Sequence, residues 1–170
     1  MRIGALLQGA VLLTAGCGST AMPGTALGTF SIDATSTANS CGDGLGTQSP
    51  WDFDVELSRD VTRLYWRKDE VTMSGVLSSD LKATITGTTT TKVVAADAGI
   101  AGCTMSRDDS VTVSLGTATV ITAVSGTMTL IFDASTESDC SAELAANGGT
   151  YDELPCELDY SFTGTRTKAP

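Results

Sequence analysis

Histidine is missing from all 170 residues. Without an imidazole the chain has no Ser-His-Asp or Cys-His nucleophilic system, no histidine general base and no histidine metal ligand. Positive charge is also scarce: 10 Lys and Arg stand against 20 Asp and Glu, a net charge of −10. A surface of that sign repels phosphate backbones and anionic lipid heads, which excludes nucleic acid and electrostatic docking on a membrane. Proline occurs four times, and aromatic residues make up 5% of the chain. No apolar run reaches the ~20 residues that a membrane-spanning helix needs. Length and the lack of any repeat lead to one domain.

What is present begins at the N-terminus with "MRIGALLQGAVLLTAGC". Arg2, an apolar stretch from about Ile3 to Leu13 and a small-residue end read as a secretory signal peptide. Within it, "LLTAGC" resembles the lipobox of bacterial lipoproteins, with Thr14 where the family usually has Leu and Leu13 one step earlier. The resemblance implies cleavage between Gly16 and Cys17, and fatty-acyl chains such as palmitate on Cys17. The chain then divides into a signal peptide over 1–16, a lipidated cysteine and tether over 17–27, and a single β domain over 28–167. The partner so implied is a membrane, reached through the lipid anchor. Gly18 in place of the Asp that commonly retains such proteins at the inner membrane implies the outer membrane of a bacterial envelope. The tether "GSTAMPGTAL" spans at most about 35 Å, so the domain and the mouth of any cavity are expected close to the bilayer.

Export places Cys41, Cys103, Cys140 and Cys156 in an oxidising compartment, where an even number reads as two disulfides. No two of them lie closer than 16 positions, which argues against a zinc site with clustered ligands. If the chain is an up-and-down barrel, its first and last strands pair, bringing Cys41 to Cys156. The hairpin over 103–134 then brings Cys103 to Cys140. The sequential pairing, 41–103 with 140–156, is the alternative.

Period-two alternation with one apolar face marks half-buried antiparallel strands. It is clearest in "WDFDVEL" (51–57), where Trp51, Phe53, Val55 and Leu57 oppose Asp52, Asp54 and Glu56. Further strands are expected over 28–35, 61–67, 71–77, within 80–94, and over 103–115, 120–134 and 156–166. "SDCSAELAA" (138–146) reads as a helical turn or two, capped by Ser or Asp and ended by Gly148 and Gly149. "AADAGIAG" (95–102) is a loop too apolar for a plain linker. Eight strands in hairpin order predict an all-β antiparallel barrel, with a two-sheet sandwich as the alternative. "LGTFSI" is similar to the Gly-x-Trp opening of lipocalins, with Phe30 in place of Trp. That resemblance implies a late arginine, Arg166, against the ring.

Candidate chemistry is sparse. Asp52 and Asp54 lie about 6.7 Å apart by strand rise, within glycosidase spacing, but on the face expected to meet solvent. Asp133, Ser135, Glu137 and Asp139 alternate like calcium ligands. Ser138 and Leu144 stand where an EF-hand needs Gly and Glu, so only a looser site at Asp139 or Glu143 is left. "RDD" (107–109) puts Arg107 and Asp109 on the apolar Met105/Val111 face. A bulge turning them outward is expected, and the alternative is a charged pair in a barrel mouth orienting a polar ligand group. Gly75 and Gly87 are expected to leave room near the axis. The reading is a non-catalytic module, without cofactor or metal, that binds a small apolar or amphipathic ligand against Phe30, Phe53, Trp66 and Phe132. The alternatives are a structural envelope component and a carboxylate-dependent polysaccharide hydrolase.

Overall fold

The computed structural model describes residues 21–45, 49–94 and 102–170. The signal peptide, Cys17 and most of the 95–102 loop lie outside the described residues. Eight strands follow one another: β1 (Thr25–Asn39), β2 (Trp51–Arg59), β3 (Arg63–Lys68), β4 (Val71–Leu77), β5 (Lys82–Val94), β6 (Cys103–Ser114), β7 (Ala123–Ala134) and β8 (Cys156–Lys168). Each pairs antiparallel with the next, and β1 pairs with β8, closing an up-and-down barrel. The two-sheet sandwich is thereby set aside. Every strand pairs on both sides, but β5 beyond Thr86 and β2 before Glu56 run past the shorter β3 and β4 and pair on one side only.

Alternation decides which residues fill the barrel. Phe30, Ile32 and Ala34 of β1 are buried, as are Leu158, Tyr160 and Phe162 of β8, while their neighbours in sequence are exposed or half-buried. Outside, the register aligns Thr84, Thr112, Thr127 and Ser161 as a row of hydroxyls across four strands. Apolar inside and polar outside is the reverse of a membrane-spanning barrel, whose lipid face is apolar.

The ends of the barrel differ. At one, Leu115 and Ile121 from the β6–β7 connection are buried, and Ala21–Gly24 join β1 where β2 and β8 finish. Ser58 donates to the Pro23 carbonyl there at 2.6 Å. The β1–β2 register shifts between Ala26 and Gly28 at this end. Gly28 has φ +118°, and a Cβ would lie 2.3 Å from the Lys168 carbonyl oxygen. Phe30 and Arg166 are partners in the β1–β8 register.

Both disulfides stand at the other end. Cys41–Cys156 ties the exit of β1 to the start of β8, with Cα atoms 4.9 Å apart. Cys103–Cys140 ties the start of β6 to the loop after β7, at 4.8 Å. The pairing derived from barrel topology holds. The 135–155 connection forms two 3₁₀ turns, Ser141–Glu143 and Ala145–Asn147, and Gly148 ends the second with φ +87°. The N-cap of the first turn is Cys140 and makes no side-chain cap. Instead the Asp139 carboxylate, one residue earlier, accepts the Ser141 N–H at 3.1 Å.

Candidate functional site

Towards the disulfide-bearing end the inward positions of β2 to β7 do not meet at the axis. They enclose a chamber of ≈170 Å³. Its walls are apolar: Trp51 and Phe53 of β2, Trp66 of β3, Met73 of β4, and Met128 and Leu130 of β7. The rings brace one another, with centroids 4.6 Å apart for Trp51–Phe53 and 6.4 Å for Phe53–Trp66. Phe162 backs Trp66 edge-on at 5.8 Å, and Tyr160 backs Trp51 at 5.5 Å. Such contacts fix ring orientation beyond simple burial. Burial raises the Tyr160 hydroxyl above its ordinary value.

Charged groups collect at the rim. Lys68 sets its ammonium 5.8 Å above the Phe53 ring and pairs with Asp69 at 2.8 Å. Arg107 and Asp109 both line the chamber. The β5–β6 and β6–β7 registers run unbroken from Met105 to Ser114, so the expected bulge is absent and both side chains face inward. Their charges are satisfied in place: Arg107 Nε donates to one Asp109 carboxylate oxygen at 2.7 Å and Nη2 to the other at 2.8 Å. Residues i and i+2 share a strand face, so the pair forms within β6 without bending it.

Beyond Arg107 lies a second hollow of ≈190 Å³, bounded by Met105, Phe132 and Tyr151. Arg107 and Thr89 border both spaces. Tyr151 reaches in from the disulfide-tied loop, its ring 5.8 Å from Phe132. Burial raises its hydroxyl, the Glu143 charge adds to that, and Arg107 opposes it.

Four aromatic residues were expected to form one site. The structure brings Phe53 and Trp66 together in the chamber. Phe30 belongs to the packed core, with no exposed surface, and Phe132 lines the second hollow. The two glycines also part company. Gly87 borders the chamber, where a Cβ would lie 2.5 Å from the Met73 sulfur. Gly75 leaves no room, because β5 fills it: a Cβ there would lie 2.0 Å from the Thr84 carbonyl oxygen. Trp51 and Met128 were not expected at the site, although Trp51 shares the alternating face of Phe53.

Asp52 and Asp54 are exposed on the outer face, as expected of a solvated strand. Among the described residues no group of three or more His, Cys, Asp or Glu is placed to hold a metal ion. The chamber opens at the end opposite Ala21–Gly24. The described chain enters the barrel at the Ala21–Gly24 end, and Cys17 lies outside the described residues.

Fold and site together define a closed eight-stranded β-barrel with an aromatic- and methionine-lined inner chamber and a charge-paired rim. No protein-family model, curated protein or solved structure matches the chain.

Proposed function

We propose that this chain is an extracytoplasmic lipoprotein whose barrel binds a small apolar or amphipathic ligand and catalyses nothing. The observation that carries the binding role is the chamber itself. The chamber of ≈170 Å³ is walled mainly by rings and thioethers beneath a charged rim, and an apolar cavity of ~150 Å³ is large enough for benzene. Its size suits a single ring or a short chain and is below the ~300 Å³ at which drug-sized pockets begin. The anchor rests on "LLTAGC" and Cys17. Four cysteines in two disulfides agree with an oxidising compartment. With Cys17 acylated, the mouth faces the aqueous phase, so the ligand is taken from solution and not drawn from the bilayer below.

Two measurements test this reading. Titration calorimetry with toluene on the mature domain is expected to show saturable one-to-one binding. Heats no larger than dilution would leave the filled-barrel, structural role. Mass spectrometry of the protein purified from envelopes is expected to find an acylated Cys17 as the first residue. A free amine at Gly18 or beyond would remove the anchor.

A further inference from the structure

We infer that the chamber selects a ligand whose head is polar but uncharged, such as an amide or carbonyl on an aromatic or short apolar body, with Arg107 as the group that recognises it. The inference rests on the binding reading above and adds the chemistry of the head. Among the described residues, Arg107 is the basic side chain that borders both hollows. Its Nε and Nη2 are committed to Asp109. A guanidinium carries five N–H donors in a rigid fork, so the remaining donors stay available on the edge turned away from Asp109. Asp109 is 13% exposed and Arg107 43%, so the carboxylate is the buried member and fixes the orientation of the fork.

Charge balance decides what that edge accepts. Around the chamber, Lys68 and Arg107 are matched by Asp69 and Asp109, and each base is paired with one acid. An ionised head of either sign would therefore meet no uncompensated partner, yet would lose its hydration on entering an apolar space. The net charge of −10 opposes an anion further. A neutral acceptor avoids both costs and still gains a hydrogen bond from a charged donor, the stronger kind. Its apolar body would lie between Trp51, Phe53 and Trp66, with the head at Arg107.

Four probes of nearly one shape separate the possibilities: toluene, benzamide, benzoate and benzylamine, each titrated calorimetrically into the mature domain at neutral pH. Benzamide is expected to bind about tenfold more tightly than toluene, and benzoate and benzylamine more weakly than benzamide by at least that factor. In Arg107→Met, benzamide should lose its advantage, the ratio of benzamide to toluene affinity falling from about tenfold to about one. Toluene binding with benzoate or benzylamine ahead of benzamide would overturn the inference and leave the binding role standing. Equal affinity for benzamide and toluene would also overturn it. No binding by any of the four would overturn the binding role and the inference together. Should Arg107→Met fail to fold, the order of the four probes on the unmodified domain decides the matter.

Discussion

At the scale of single residues, the interior divides into positions that hold the barrel together and positions that shape the chamber. Phe30 has no exposed surface and lies in the main core with Ile32, Leu57 and Leu64. Phe53 is only partly buried and borders open space. Truncating a filled position loses both transfer energy and packing, whereas truncating a chamber wall enlarges a space already present. Phe30→Ala is therefore expected to cost about 3–5 kcal/mol in urea unfolding. Phe53→Ala should cost less than half as much and weaken toluene binding. Equal losses from the two would mean that the chamber collapses without ligand. The sequence marked both phenylalanines as inward but could not separate them. Alternation reports which face a side chain takes, and not how far along the axis the barrel stays filled.

The strands were the most legible elements. Each expected strand is present, and the bounds differ where alternation fades. β1 extends past Thr35 through the polar Ser36–Asn39 because β8 supplies partners as far as Leu158. β7 starts at Ala123 and not at Val120, because Val120 and Ile121 belong to the closing loop. Arg107 and Asp109 were misplaced because a bulge is the usual remedy for charge on an apolar face. The structure has the alternative, a charged pair inside the barrel, in which the i, i+2 spacing lets each residue satisfy the other. The β2–β3 turn shows how an element records its local chemistry. The Asp60 carboxylate accepts the Thr62 and Arg63 N–H groups, each at 2.8 Å, and the Tyr65 hydroxyl at 2.9 Å. The Thr62 backbone bond, then the Tyr65 bond, hold its carboxyl below the ordinary value. A folded-state value below the unfolded one stabilises the protein above the usual carboxylate range, and that contribution is lost as pH falls through the depressed value. Asp60→Asn should be less stable than the parent at neutral pH, with the gap closing in acid. A gap unchanged between neutral pH and strong acid would show that the turn does not depend on the charge.

For the molecule as a whole, closure separates two tasks along one axis. The closed end receives the described N-terminal residues and is capped by Leu115 and Ile121. The other end carries both disulfides, the 3₁₀ turns and the chamber mouth. Bridges spanning 115 and 37 residues restrict the unfolded chain by roughly 4–5 and 3–4 kcal/mol in the loop-entropy account. They fasten the β7–β8 connection, from which Tyr151 reaches the second hollow, to the strands beside it. The hollow end of the barrel is thus the stapled one. The methionines report on this division directly. Met73 and Met128 line the chamber, Met105 borders the second hollow, and Met22 lies at the closed end. In a methyl NMR titration of the domain with toluene, saturable ring-current shifts are expected at Met73 and Met128, with Met22 unmoved. Methyl signals unchanged at saturating toluene, or shifted alike at Met22, would contradict an open chamber in this barrel.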